Sequence, residues 1–306
     1  MQIYTSDSLT IYKVGVLGGE AYLVTTPERT LLFDSGFAYA APALVDEVEA
    51  LLDGRQLNYH FLSHSHYDHA SGSVWVKKRW SQVKVLGSAH AARVFERPGA
   101  RKTICSLNIE AAKEALAQGR ISAELASTVE YALLEKFSVD ETVDGSSIID
   151  LGGITLEVLE APGHTRCSLM LWCPDERLLF GSESLGVMLD KDIVSPACLT
   201  GYHDSLDSIA MAQALKPEHI LVCHRQVISG EEATCYLINA QLWAERTARF
   251  IWVCNEMGMP KSRIAELLKE LFYRDDCKDT QPEAAFDLNN GYMIDQILAS
   301  KETPSQ

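Results

Sequence analysis

Short apolar runs bounded by glycine, proline and acidic residues fill the first part and the middle of the chain. Runs of three to nine residues that stop at turn residues are typical of β-strands in a sheet. The predicted strands are residues 9–17, 21–25, 30–34, 59–62, 83–87, 148–150, 154–161, 169–173, 178–180 and 220–223.

Other stretches carry apolar residues at a spacing of three and four, which predicts amphipathic helices. From about Asp204 the chain is mostly helical, and Ser229-Gly-Glu-Glu232 is predicted to cap a long helix that ends at Gly258. Strands mixed with helices in this way indicate an α/β protein. The predicted helices are residues 42–52, 74–80, 88–96, 101–118, 122–136, 229–258, 262–272 and 290–299.

Two parts of the chain resemble each other. Residues 22–36 align without gaps with residues 169–183, so that Leu31-Leu32-Phe33 meets Leu178-Leu179-Phe180. Further on, Phe61-Leu62-Ser63-His64 has a counterpart in Leu221-Val222-Cys223-His224. The two matches occur in the same order, which predicts two similar strand-rich halves, each with a histidine just after a strand.

The stretch after the predicted strand 59–62 contains four potential metal ligands within six residues: His64, His66, Asp68 and His69. Side chains alternate in an extended chain, so His64 and His66 are predicted to point the same way. If a helix follows, Asp68 and His69 are turned toward a second point nearby. Imidazole and carboxylate are ligands that zinc and iron accept, so a metal site is predicted here.

Three later positions offer further ligands. His164 follows the tight turn Pro162-Gly163, Glu183 follows a predicted strand, and His224 follows another. The remaining histidines have no such setting and are predicted to be structural or surface residues: His60, His90, His203 and His219.

Charge and composition narrow the classes of partner. The net charge of −15 argues against nucleic acid, because binding phosphates requires a basic face. No secretory signal and no apolar run of membrane-spanning length is recognised. The eight cysteines show no Cys-x-x-Cys pair and are predicted to be reduced thiols, so a cytoplasmic protein without membrane partners is expected.

The series His-x-His-x-Asp-His, Pro-Gly-His-Thr, an acid after a Leu-Phe strand and a late histidine resembles the metallo-β-lactamase superfamily, over about residues 9–228. The resemblance implies an α/β fold, the four-layer αββα sandwich, with a helical insertion at about 88–137 and C-terminal helices. It implies a catalytic domain at 1–228 and a helical extension at 229–306. These helices loosely resemble the quinolone-signal response thioesterase branch and glyoxalase II.

By the same resemblance, His64, His66 and His164 would hold one metal ion. Asp68, His69 and His224 would hold a second, and Glu183 would bridge the two ions. The family usually has Asp at the bridging position, so Glu183 is a departure that leaves the metal open: two divalent ions per chain are expected, and zinc, iron and manganese all suit these ligands.

Two metal ions together can supply a hydroxide at neutral pH, with Asp68 close enough to handle its proton. No Gly-x-Ser-x-Gly nucleophile or nucleotide-binding loop is present. The predicted function is therefore hydrolysis of an ester, thioester or lactone in a small-molecule substrate. An iron oxygenase of the persulfide dioxygenase kind and a signalling protein with a closed metal site are the alternatives.

The apolar residues of the helix near 236–253 could also pair two copies of the chain as a homodimer.

Overall fold

A computed structural model describes residues 1–127, 138–274 and 281–301. By its internal packing the chain divides into two compact units, residues 1–158 and residues 159–306. Each unit contains β-sheet and helices, in agreement with the predicted α/β class. The division into a catalytic domain at 1–228 and an extension at 229–306 is based on the family resemblance and not on packing, and it stays a prediction. No helix among the described residues combines the length and the apolar character needed to cross a membrane.

The first unit is built on a seven-stranded sheet whose strands follow one another in chain order. Strands β1 to β4 are antiparallel, and β4 to β7 run parallel to one another. The seven strands are β1 (Gln2–Thr5), β2 (Thr10–Val16), β3 (Gly19–Thr25), β4 (Thr30–Phe33), β5 (Tyr59–Phe61), β6 (Lys84–Gly87) and β7 (Glu141–Thr142). A hairpin of β8 (Ile148–Asp150) and β9 (Thr155–Glu160) follows, and β9 crosses into the second unit.

Helices pack on this sheet through the apolar positions that predicted them. Helix α1 buries Leu44, Val48 and Leu52, which lie on one face of the helix, against side chains of β2 to β4. The helices of this unit whose bounds both lie within the described residues are α1 (Ala41–Leu52), α2 (Tyr67–Ala70), α3 (Ser73–Arg79), α4 (Ala89–Glu96) and α5 (Pro98–Ala117). The predicted helix 122–136 lies partly outside the described residues, as does the end of the predicted insertion.

The second unit contains four paired strands, in the order β15, β14, β11 and β10. They are β10 (Leu169–Cys173), β11 (Leu178–Phe180), β14 (His219–Leu221) and β15 (Val227–Ser229), with a separate small pair of β12 (Val187–Met188) and β13 (Val194–Ser195). A 3₁₀ turn, Glu183–Leu185, follows β11. The helices are α6 (Tyr202–Leu215), α7 (Glu231–Glu256), α8 (Lys261–Phe272) and α9 (Glu283–Ser300).

The internal resemblance is confirmed strand by strand. In the first unit, β3 and β4 form an antiparallel hairpin, and β5 joins β4 in parallel with Phe33 opposite Phe61. In the second unit, β10 and β11 form the same hairpin, and β14 joins β11 in parallel with Phe180 opposite Leu221. His64 lies three residues after Phe61, and His224 lies three residues after Leu221. The two halves therefore place a histidine at equivalent positions.

One predicted helix start and one predicted helix cap are wrong. Helix α9 begins at Glu283 rather than Asn290, because Asn289-Asn290-Gly291, which favours a turn in isolation, is held in the helix by the packing of Met293 and Ile297. The predicted capping box of α7 is also absent. The N-cap is Gly230, whose backbone has φ 59°, and no side chain caps the helix.

His60 is fully buried in β5 and has a structural setting. Its ring nitrogens lie 3.2 Å from the Leu32 carbonyl and 2.9 Å from the Ser73 hydroxyl. Burial disfavours the imidazolium and lowers the pKa of His60 from 6.5 to about 4. As the pH falls, His60 is therefore protonated in the unfolded chain before it is protonated in the folded protein. The stability that comes from burying the neutral ring is present above pH 6.5 and is lost as the pH falls toward 4.

Because of His60, we expect the free energy of unfolding to fall by about 3 kcal/mol from pH 7 to pH 4. Urea unfolding of the metal-free protein at several pH values would measure this, with His60→Gln as the control because glutamine keeps a donor and an acceptor but does not titrate. The loss should be smaller in the variant by about that amount. An identical pH dependence in both proteins would contradict it.

Candidate metal centre

The first unit gathers four of the predicted ligands within one short segment. His64 lies just beyond β5, and His66 is the extended residue that precedes α2, whose first turn holds Asp68 and His69. The ring centroids of His64 and His66 are 4.6 Å apart, those of His64 and His69 are 4.1 Å apart, and a nitrogen of His64 lies within 4.8 Å of one of His66. His69 Nε2 is 3.8 Å from Asp68 Oδ2. The helix on which the orientation of Asp68 and His69 was made conditional is present as α2.

A buried carboxylate, Asp34, lies behind this segment and was not predicted as a site residue. It follows β4 and is 1% exposed. Its Oδ1 accepts from the Ser63 backbone N–H at 2.8 Å. Its Oδ2 accepts from the Ser63 hydroxyl at 2.7 Å and pairs with His69 Nδ1 at 2.8 Å. Asp34 therefore fixes both the backbone before His64 and the ring of His69.

These contacts determine which ring nitrogens face the site. A carboxylate only accepts, so the proton of His69 is on Nδ1 and its Nε2 offers a lone pair. The Ser63 hydroxyl gives its proton to Asp34, so at 3.0 Å it accepts from Nδ1 of His64. His64 and His69 thus both present Nε2, the arrangement that a partner on Nδ1 produces in metal-binding histidines.

A glycine allows the helical segment to approach the Asp34 loop. A Cβ on Gly72 would lie 2.2 Å from the Ser35 backbone oxygen, which no real side chain tolerates. The same loop is bound to α2 by the Ser35 N–H, which donates to the His69 carbonyl at 2.7 Å. The loop that carries Asp34 and the turn that carries His69 are therefore held together by main-chain contacts.

The second unit brings together the other three predicted ligands. His164 Nε2 is 2.9 Å from Glu183 Oε2, and His224 Nε2 is 3.7 Å from Glu183 Oε1. Their side chains are 2%, 10% and 11% exposed in the order His164, Glu183, His224. The Glu183 carboxylate thus contacts one histidine with each oxygen.

The His164 loop has the tight turn that Pro162-Gly163 predicted. Gly163 has φ 128°, and a Cβ there would lie 2.2 Å from Ser205 Oγ. The Ser208 hydroxyl in α6 donates to the Pro162 carbonyl at 2.7 Å. His164 Nδ1 lies 2.9 Å from the Ala197 carbonyl. A carbonyl only accepts, so Nδ1 carries the proton and Nε2 is the nitrogen turned toward Glu183.

Ser184 and Tyr236 hold the Glu183 turn, and sequence reasoning missed both. The Ser184 hydroxyl donates to the Ala161 carbonyl at 2.5 Å and accepts from the His164 backbone N–H at 3.2 Å, which connects the two ligand loops. The Tyr236 hydroxyl in α7 donates to the Gly186 carbonyl at 2.9 Å. Ser184 directly follows Glu183, but no sequence pattern shows the contacts of either residue, because these contacts join distant segments.

Both clusters have the chemistry that divalent metal ions require. They offer neutral imidazole nitrogens and carboxylate oxygens, the ligand set of zinc and of non-haem iron. In the second unit, Nε2 of His164 and a carboxylate oxygen of Glu183 are 2.9 Å apart, and two such atoms are held close together by a proton or a cation between them. The residues of each cluster therefore fit a metal ion.

The histidines predicted to be structural lie outside these clusters. His60 is bound inside the sheet as described above, and His219 Nδ1 is 2.8 Å from the Ser229 hydroxyl on the neighbouring strand. His203 lies in α6 with its ring 5.2 Å from that of Tyr202. His90 lies in α4.

The family model of the metallo-β-lactamase superfamily matches residues 14–224. A β-lactamase domain protein from Burkholderia ambifaria is similar in structure, with a TM-score of 0.67, 13% identity and coverage of 98% of this chain and 89% of that one. A metallo-β-lactamase family protein from Thermus thermophilus has a TM-score of 0.65 and 17% identity, with 95% of this chain and 94% of that chain covered. The flavodiiron protein from Giardia intestinalis has a TM-score of 0.56 and 12% identity, with coverage of 81% and 60%. The predicted fold class, the αββα sandwich of this superfamily, is confirmed.

Proposed function

This chain belongs to the metallo-β-lactamase superfamily, and on that premise we propose that it is a metal-dependent hydrolase of esters, thioesters or lactones. One observation carries the proposal: the Nδ1 contacts of His64, His69 and His164 turn Nε2 of each ring toward other potential ligands. The ring nitrogens of His60, by contrast, contact neither a histidine nor a carboxylate, but the Leu32 carbonyl and the Ser73 hydroxyl.

We propose that the two clusters act together as one dinuclear site. His64, His66 and His164 would hold one ion, and Asp68, His69 and His224 would hold the other. Glu183 would contact both ions. The last assignment is supported within the second unit, where its two oxygens face His164 and His224, one histidine from each proposed set.

The glutamate at position 183 has the reach that this role requires. It begins a 3₁₀ turn, and its longer side chain places one oxygen near each histidine although the backbone is fixed by Ser184 and Tyr236. An aspartate there would be shorter by one methylene. The departure from the usual aspartate therefore keeps the charge and is compatible with a carboxylate that lies between two ions.

When bound, divalent ions in such a site lower the pKa of a water molecule and polarise a substrate carbonyl. The chain itself would position the groups around that carbonyl. Asp68 is the carboxylate among the proposed ligands of the first unit, and 15% of its side chain is exposed. It would hold the proton removed from the attacking water and return it to the leaving oxygen or sulfur.

The test combines metal analysis with a substrate panel. Protein purified without added metal should contain close to two divalent ions per chain when its metal content is measured by inductively coupled plasma mass spectrometry. It should hydrolyse at least one member of a panel of acyl-thioesters, aryl esters and acyl-homoserine lactones. One iron per chain with oxygen consumption on glutathione persulfide would favour the oxygenase alternative instead. Two ions without turnover of any panel member would count against the hydrolase.

A further inference from the structure

The turn that carries His224 has a backbone conformation that histidine rarely adopts. His224 is the third residue of the turn 222–225, which is closed by the Arg225 N–H donating to the Val222 carbonyl at 3.1 Å. Its φ is 59°, in the left-handed region that glycine and asparagine favour at this position of a turn. Such a conformation persists only where the surrounding structure holds it. The contacts of this turn therefore determine where the His224 ring lies.

The side chain of Arg225 attaches this turn to the segment that follows Glu183. Arg225 is half-buried, and its Nε donates to the Met188 carbonyl at 2.9 Å. A terminal nitrogen of the same guanidinium lies 3.5 Å from the Leu189 carbonyl. The planar group thus faces two consecutive carbonyls, which fixes both the position and the direction of the turn that carries His224.

Cys223 provides a second attachment on the other side of Glu183. Its thiol donates to the Gly181 carbonyl at 3.3 Å. A thiol is a weak donor, whereas a guanidinium is charged and donates through several N–H groups. We therefore expect the contacts of Arg225 to contribute more to holding the turn.

The carbonyls that Arg225 binds belong to a well-supported hairpin, residues 187–195, formed by β12 and β13. Positions 236, 239 and 243 lie on one face of α7 and donate to carbonyls at or just before this hairpin. The three donors are Tyr236, Asn239 and Trp243, which bind the carbonyls of Gly186, Lys191 and Asp192 at 2.9, 3.1 and 2.7 Å. Just after the hairpin, the Ala197 carbonyl contacts Nδ1 of His164. The hairpin segment therefore connects all three proposed ligands of the second unit.

We propose that Arg225 is a positioning residue of the metal centre, which holds His224 beside Glu183 by binding the His224 turn to the 187–195 hairpin. The inference rests on the proposed function through its dinuclear site, in which His224 and Glu183 would contact the same ion. Arg225 itself is not a ligand, because a guanidinium has no lone pair to offer a metal.

The charge of Arg225 makes the direction of its effect informative. A positive charge near a cation site repels the ion, so loss of the charge alone would strengthen metal binding. Loss of a positioning contact has the opposite sign, because a ligand whose orientation is no longer fixed binds the ion about 10- to 100-fold less tightly. The sign of the change therefore separates the two effects.

The test measures zinc binding to the full, metal-free chain by competition with a chromogenic chelator. Arg225→Ala should bind one of the two ions about 10- to 100-fold less tightly than the wild-type protein. Arg225→Lys keeps the charge and a donor and should recover part of this loss, and it carries the test if Arg225→Ala does not fold. Arg177→Ala is the matched control, because Arg177 also donates to a backbone carbonyl of this unit, that of Lys216. It should bind both ions as the wild-type protein does.

A double-mutant cycle separates the positioning of His224 from a merely structural role. If Arg225 acts through the His224 ring, the double variant Arg225→Ala/His224→Ala should bind zinc as tightly as His224→Ala alone. A further loss of about tenfold in the double variant would overturn the proposal. Zinc binding by Arg225→Ala that equals or exceeds that of the wild-type protein would also overturn it and would leave the hydrolase in place.

The outcomes for the wild-type protein distinguish this proposal from the proposed function. Two bound ions without turnover of any panel substrate would count against the hydrolase alone, and the loss of zinc affinity in Arg225→Ala would still support the role of Arg225. A wild-type protein that binds no zinc would overturn both proposals.

Discussion

Replacing His164 or His69 with alanine is expected to lower kcat/KM by about 10³-fold or more and to reduce the bound metal. Each ring contributes an Nε2 that is oriented by a buried partner, the Ala197 carbonyl for His164 and Asp34 for His69. Loss of a ligand lowers metal affinity directly, and the metal ion supplies several kcal/mol of transition-state stabilisation in hydrolases of this type. Metal content and kinetics on the best panel substrate would be measured on the same preparations.

His203→Ala is the matched control, because His203 is a half-buried histidine that contacts Tyr202 and belongs to neither cluster. It should retain metal and activity within a few fold. Circular dichroism and thermal unfolding of the metal-free proteins would show that the ligand variants still fold. Activity retained in both His164→Ala and His69→Ala would end the hydrolase proposal.

Sequence reasoning performs best where the signal is local. The strands Leu169–Cys173 and Leu178–Phe180 have the predicted bounds, because each is a short apolar run with turn residues on both sides. The candidate ligand segment is equally local, because six residues contain four potential ligands directly after a predicted strand. The short helix α2 that carries two of them is not among the predicted helices. The internal resemblance then extends the fold prediction, since two similar sequences form the same hairpin and parallel strand.

The residues that support the ligands could not be predicted in this way, because their roles depend on contacts between distant segments. The role of Ser184 depends on the fold, because its hydroxyl contacts the Ala161 carbonyl and the His164 backbone N–H, which are about 20 residues away in the sequence. The start of α9 shows the same limit, since the packing of Met293 overrides the low helix propensity before it. Asp34 had one usable signal: in the internal alignment it lies directly after a buried Leu-Leu-Phe strand, at the position aligned with Gly181.

Asp34 is a positioning residue, and Asp34→Asn is expected to reduce metal affinity by about 10- to 100-fold. The carboxylate accepts from the Ser63 N–H, the Ser63 hydroxyl and Nδ1 of His69. An asparagine has the same shape but only one acceptor oxygen, so its NH₂ group faces one pair of these contacts. If the NH₂ faces His69, the ring moves its proton to Nε2 and loses the lone pair that a metal needs.

The readout that separates positioning from a merely structural role is the metal dependence of activity. In Asp34→Asn, kcat/KM should be low at a limiting zinc or iron concentration and should recover as the metal is raised, whereas His69→Ala should not recover. Asp34→Ala would leave the buried Ser63 and His69 donors without an acceptor and should also destabilise the fold by about 1–3 kcal/mol per group. Asp46→Asn serves as the control, because that carboxylate is exposed and pairs with Arg79 at the surface. Metal titrations that are the same for Asp34→Asn and the wild-type protein would show that Asp34 does not act through the ring of His69.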